Sequence, residues 1–132
     1  MKVTIENTGL NIDDPDVFML HNLNNLGLSE SPNGIHTGSN GGYQAVNIAT
    51  LSGATKILLL GYDMHYPKGK THWHKGHEWP VHEDQYRNYA NKFRSMLPTL
   101  RRLGIKVINC TPDSRIDAFE KGDIESILNE PK

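Results

Sequence analysis

Residues 38–61, GSNGGYQAVNIATLSGATKILLLG, contain the pattern that decides the fold. Three glycines in five residues lead into a segment whose apolar side chains recur at helical spacing, among them Val46 and Ala49. Gly53 is a natural stop for that helix. The run at residues 56–60 is apolar after its first residue and does not alternate, which is typical of a parallel strand covered on both faces. The segment therefore predicts a loop, a helix and a buried strand, in that order.

The flanking segments extend this alternation of helices and strands. Helical spacing predicts a second helix over residues 83–103, kinked by Pro98, and a short helix over 123–129. We expect strands at residues 2–6, 17–20 and 105–109, and loops or irregular chain at residues 7–16, 21–40 and 61–82. The order predicts an α/β protein with a Rossmann-like parallel sheet and flanking helices. We expect one domain over residues 1–132, with its motifs concentrated in 38–112.

Composition narrows the classes of function. The 132 residues carry a net charge of −1, so no overall positive field favours nucleic acid or an acidic membrane. The sequence has no apolar run long enough to span a membrane and no signal peptide near its start. Cys110 is the only cysteine, which weakly favours a reducing compartment. A cytoplasmic protein is the expectation.

The Gly-rich loop, defined as Gly38, Ser39, Asn40, Gly41 and Gly42, is a candidate phosphate site. Backbone amides at a helix start have no internal partners, and the helix dipole adds partial positive charge there. Glycines let a phosphate approach the backbone closely. The alternative is a structural role, in which the glycines supply turn geometry and Ser39 or Asn40 caps the helix. Both interpretations stay open at this stage.

Asp63 follows the apolar strand and is the candidate acid of the site. Ligands of open α/β sheets bind beyond the carboxyl ends of the strands. An acid there can hold Mg²⁺, a ribose hydroxyl or a substrate amine. The alternative is that Asp63 is a turn residue that follows Gly61.

A His-rich segment lies between His65 and His82, where five of the seven histidines fall. His72, His74 and His77 are candidate ligands for zinc or another transition metal. One histidine could instead act as general acid and base or contact a developing phosphoryl charge. The alternatives are a solvated polar loop and a chance feature of local composition. The spacing of the histidines matches no standard zinc signature, which argues against a dedicated metal site.

Four short motifs resemble those of one protein family. They are residues 37–43 (TGSNGGY), 58–64 (LLLGYDM), 69–74 (GKTHWH) and 107–112 (VINCTP). Together they resemble the 6-hydroxymethylpterin diphosphokinase-like proteins (the DUF115 group) and their small bacterial and phage relatives. A more distant similarity is to bacterial sialyltransferases that bind a cytidine nucleotide.

The resemblance implies a nucleotide-binding transferase, either a diphosphokinase or a nucleotide-sugar glycosyltransferase. It implies that the Gly-rich loop binds phosphate, that Gly61 and Thr71 line the nucleotide site, and that Asp63, with Mg²⁺, and His72 are catalytic. Family members usually carry a further strand and Gly-rich turn ahead of the position of Val17. This sequence lacks them, so we expect a domain truncated at its N-terminal end. Alternatives are a non-catalytic binding or assembly module, completed as a homodimer, and a metal protein that uses the His-rich segment.

Overall fold

A computed structural model describes residues 2–6, 14–65 and 82–129, which contain six strands and four helices. The strands are β1 (Lys2–Ile5), β2 (Val17–Asn24), β3 (Gly34–His36), β4 (Lys56–Leu59), β5 (Lys106–Asn109) and β6 (Glu120–Lys121). The helices are α1 (Gly41–Leu51), α2 (Glu83–Lys92), α3 (Leu97–Leu103) and α4 (Ile124–Leu128), with a 3-10 turn at Phe93–Met96 between α2 and α3.

All the described strand pairs are parallel. They form two three-stranded sheets, one in the order β1-β2-β3 and the other in the order β4-β5-β6. The predicted α/β class with parallel strands and flanking helices is confirmed, and the arrangement is compatible with a Rossmann-like fold. The sequence predicted one sheet, whereas the described strands pair as two. The crossover through α1 joins the last strand of the first sheet to the first strand of the second.

Two features of the first sheet differ from the prediction. Strand β2 continues four residues beyond Leu20, and β3 lies inside the segment predicted to be irregular. The pairing between them shifts register between Asn22 and Asn24. Asn and Gly disfavour strands by propensity, so parallel backbone pairing overrides the local sequence preference here.

The long helix expected at residues 83–103 is present but divided. Helix α2 passes into the 3-10 turn, and Pro98 lies in the first turn of α3. Proline is well tolerated there because the first-turn amide has no helical partner. Gly104 ends α3 with a φ of 68°, a left-handed cap that is typical of glycine.

The hydrophobic core lies between the helices and both sheets. Tyr43 of α1, Phe93 of the 3-10 turn and Leu59 of β4 are almost fully buried. The ring of Phe93 lies 5.3 Å from that of Tyr43 and 6.0 Å from that of Phe119. This packing fixes the start of α1 against the end of β4. In the described part of the chain, no helix is both long and apolar enough to cross a membrane.

Candidate functional site

The Gly-rich loop makes a tight left-handed turn into α1. Gly38 has a φ of 56° and Ser39 a φ of 61°. A Cβ placed on Gly38 would lie 2.1 Å from Cγ of Tyr43, so only glycine fits. The geometry of the turn therefore requires glycine at position 38. This agrees with the alternative interpretation of the loop, in which the glycines supply turn geometry.

Asn40 caps α1 and leaves two amides at the helix start open. Its side-chain oxygen accepts a hydrogen bond from the amide of Tyr43 at 2.9 Å, and its carbonyl oxygen accepts from Gln44. The amides of Gly41 and Gly42 have no partner among the described residues. The predicted cap is thus Asn40 rather than Ser39, and it does not close the helix terminus. The first turn of α1 contains no acidic residue, so the positive end of the helix dipole is uncompensated by its own side chains.

Lys92, at the end of α2, brings a cation to the loop. Its Nζ donates to the carbonyl oxygen of Gly38 and to Oγ of Ser39, each at 3.0 Å. Among the described residues, the ammonium uses two of its three donors in this way. Oγ of Ser39 in turn donates to Oδ1 of Asn25 at 2.9 Å. Sequence reasoning missed Lys92 because a helix predicted from apolar spacing gives no sign of which distant loop its lysine reaches.

The end of β4 contacts the same loop through Tyr62. Its hydroxyl donates to the carbonyl oxygen of Gly42 at 3.1 Å, and its amide donates to Oγ1 of Thr111 at 2.9 Å. Burial raises the pKa of the Tyr62 phenol. The Gly-rich loop, which follows β3, and the chain that follows β4 therefore meet at the carboxyl ends of their strands. Strands β3 and β4 belong to different sheets, but each of the two segments follows the carboxyl end of a parallel strand, which is where open α/β proteins bind ligands.

Gly61 and Asp63 lie on either side of Tyr62. Gly61 takes a φ of 72° and lets the chain turn after β4. Asp63 is exposed, and its carbonyl oxygen accepts from the amide of Arg115 at 3.0 Å. The predicted strand-end acid is therefore an exposed residue that lies next to Tyr62, which contacts the loop.

Two cavities flank the loop. One, of about 590 Å³, includes Gly41 and Thr37 and lies between α1 and the strands β1 and β2. The other, of about 610 Å³, includes Ser39 and Lys92 and follows α2. Both volumes fall within the usual range for sites of small ligands, about 300–1,000 Å³.

The remaining predicted site residues, Thr71, His72, His74 and His77, lie outside the described residues. Within the described ranges, no group of three or more His, Cys, Asp or Glu side chains is arranged to hold a metal ion. A transition-metal site on the His-rich segment and Mg²⁺ at Asp63 stay predictions.

Comparisons with known proteins returned no match to any family model, curated protein or solved structure. The resemblance carried by the four short motifs therefore stays a prediction.

Proposed function

We propose that this chain is a nucleotide-binding domain of the transferase type, with a phosphate group bound at the start of α1. The reaction would be that of a diphosphokinase or a nucleotide-sugar glycosyltransferase. The observation that carries the proposal is the pair of open amides, Gly41 and Gly42, at a capped helix start beside the end of β4.

Several features of the loop favour an anion. The open amides and the helix dipole attract negative charge, and Lys92 adds a full positive charge next to Ser39. Gly41 is exposed, and a Cβ placed on it would meet no atom within 4 Å. The backbone at Gly41 is therefore not covered by a side chain on the side where a Cβ would lie.

The catalytic roles in this proposal rest on the sequence. Asp63 holds Mg²⁺ or the acceptor, and His72, with Thr71 nearby, contacts the phosphate or transfers a proton. A magnesium ion at Asp63 would offset the charge of the phosphates. The position of Asp63 beside Tyr62, one residue from the contact with Gly42, supports this assignment.

Gly41 offers a direct test because it is the first residue of α1. Proline is favoured at this position and removes the amide. The preceding residue, Asn40, already has the extended conformation that proline requires, with φ −152° and ψ 150°. We expect G41P to fold normally and to bind pyrophosphate and nucleoside di- and triphosphates about 10-fold or more weakly, as measured by calorimetry.

G41A is the matched control, because it adds a side-chain carbon and keeps the amide. We expect it to bind inorganic pyrophosphate within a few fold of the unmodified protein. Equal affinity of G41P and G41A for pyrophosphate would contradict a role for this amide. A lack of any thermal stabilisation by millimolar nucleotide or pyrophosphate would overturn the proposal as a whole, because a ligand of the folded state stabilises it by mass action.

A second candidate is a non-catalytic binding or assembly module, and strand β2 favours it. Phe18, Met19 and Leu23 of this strand, and Leu26 after it, are exposed by 42–51%. A central parallel strand is usually covered on both faces. Sedimentation of the protein would test this candidate. A stable homodimer that turns over no nucleotide would favour it over the transferase.

A further inference from the structure

Helix α1 has a second face that does not pack into the core. Its buried side chains include Tyr43, Val46 and Thr50. A different stripe, at spacings of three and four residues, lines the 590 Å³ cavity and consists of Gly41, Gln44, Ala45 and Ile48. The cavity therefore begins at the open amide of Gly41 and continues along the helix.

The strands supply the opposite wall. Alternation along β2 places Asn22 on the same side as the buried Leu20, and alternation after β3 places Thr37 on the same side as the buried Ile35. Both Asn22 and Thr37 line the cavity, as does Ile5 of β1. Each wall thus combines aliphatic and polar side chains, with the aliphatic Ala45 and Ile48 on the helix.

Thr37 is the feature that points to a ligand. Thr37 is only 7% exposed, and its side-chain hydroxyl has no hydrogen-bond partner among the described residues. The hydroxyl is not among the fully buried polar atoms that lack a partner, of which Nδ1 of His36 is the one found in the described residues. A molecule bound in the cavity would therefore replace water at the Thr37 hydroxyl. Asn22 is exposed and Gln44 is partly buried, and neither side chain has a partner among the described residues, so both can hydrogen-bond to the same molecule.

The charge of the cavity limits what can enter. Its described lining includes one acid, Glu6, and no lysine, arginine or histidine. Glu6 is paired with His21, with 2.7 Å between Oε2 and Nδ1. Anionic groups are therefore favoured at the Gly-rich loop and disfavoured beside Glu6. A carboxylate such as that of Glu6 can accept hydrogen bonds from sugar hydroxyls.

We infer that this cavity binds the nucleoside portion of the nucleotide whose phosphate lies on the amides of Gly41 and Gly42. The inference rests on the proposed function. The base lies against the aliphatic side of Ala45 and Ile48, with Thr37 and Gln44 hydrogen-bonded to polar groups of the nucleoside. The nucleoside is uncharged and carries the ribose hydroxyls. It thus occupies the part of the cavity whose described lining contains no cationic side chain.

The test compares ligands that share a phosphate and differ in the nucleoside. Calorimetry measures the affinities of the four common nucleoside 5′-monophosphates, ribose 5-phosphate and inorganic pyrophosphate. We expect at least one nucleoside monophosphate to bind about 10-fold or more tightly than ribose 5-phosphate. A45F fills the cavity from an exposed position. It should abolish the tighter binding of the nucleoside monophosphate relative to ribose 5-phosphate, and it should leave pyrophosphate binding unchanged. T55F adds the same bulk at an exposed residue outside the cavity and should retain this tighter binding.

T37V is the second variant, because it removes the hydroxyl and keeps the shape of the side chain. It should weaken the preferred nucleoside monophosphate several-fold without weakening pyrophosphate. Two results would overturn this inference: equal affinity for nucleoside monophosphates and ribose 5-phosphate, or a preference for the nucleoside monophosphate that persists in A45F. If pyrophosphate still binds, the proposed function stands. Absence of pyrophosphate and nucleotide binding overturns both.

Discussion

The ammonium of Lys92 lies 3.0 Å from the carbonyl oxygen of Gly38. These residues are 54 positions apart, and the contact ties the end of α2 to the turn that precedes α1. The same ammonium bonds Oγ of Ser39, so a positive charge and the start of a helix converge on one loop. Both features favour an anion, and they come from separate elements of the fold.

The first prediction concerns the charge of Lys92. K92M keeps most of the aliphatic stem and removes the ammonium. We expect pyrophosphate affinity to fall about 10-fold, because one charge-assisted contact to a phosphate is lost. The free energy of unfolding should fall by only about 1 kcal/mol, since the lost hydrogen bonds are partly exposed. Calorimetry and urea denaturation measure the two effects.

K106M is the control for K92M, because Lys106 is an exposed lysine that pairs with Glu120 at 3.1 Å, away from the loop. It should leave pyrophosphate affinity unchanged. Equal losses of affinity in K92M and K106M would mean that net charge, rather than the position of Lys92, governs binding.

Asn40 allows capping to be separated from anion binding. N40A removes the side-chain acceptor for the amide of Tyr43 and should cost about 1 kcal/mol of stability in urea denaturation. N40D keeps an acceptor and places a negative charge near the helix start, which is favourable for the helix. We expect N40D to be as stable as the unmodified protein and to lose pyrophosphate binding through charge repulsion. Retained binding in N40D would be inconsistent with an anion at this helix start.

Gly38 and Gly53 provide a matched pair for the strain in the loop. Both have positive φ, 56° and 82°. A Cβ on Gly53 would meet no atom within 4 Å, whereas one on Gly38 would clash with Tyr43. G53A should therefore cost about 1–2 kcal/mol, the backbone penalty alone. G38A should cost more than about 4 kcal/mol or prevent folding. Similar melting temperatures for the two variants would show that the packing of Gly38 against Tyr43 is misassigned.

Ionisation of the buried Tyr43 phenol should lower the free energy of unfolding at alkaline pH. Burial raises the pKa of its phenol, while hydrogen bonds with Ser95 and the carbonyl oxygen of Gly27 act in the opposite direction. In the unfolded chain the phenol ionises near pH 10. The stability that the protonated phenol contributes is therefore complete below about pH 10. It is lost as the pH rises through the raised pKa of the phenol in the folded state. Between pH 8 and 11, the free energy of unfolding measured by denaturation should decline less steeply with pH in Y43F than in the unmodified protein. Equal slopes for the two proteins would contradict this role of the Tyr43 phenol.

The sequence predicted the elements that depend on local signals. These elements are the loop, helix and strand over residues 38–61, the cap at Asn40 and the stop at Gly53. They follow from glycine, polar and apolar residues that lie close together in the chain. Strand β3 was missed because it has three residues and depends on pairing with β2 rather than on its own composition. Strand β6 has two residues and was missed for the same reason.

The site was only partly predictable for a similar reason. The Gly-rich loop and the position of Asp63 after β4 could be read from neighbouring residues. The contacts of Lys92 and Tyr62 with the loop could not, because they join residues far apart in sequence. The cavity beside Thr37 depends on how β1 and β2 lie beside α1, which no local pattern encodes.

The most direct test of the central claim is a titration of the ¹⁵N-glycine-labelled protein with pyrophosphate, followed by amide chemical shifts. The account predicts that the Gly41 and Gly42 amides shift most and saturate together, while Gly53 and Gly104, which lie away from the loop, remain unchanged. Saturable binding in which the Gly41 and Gly42 signals do not move would contradict it.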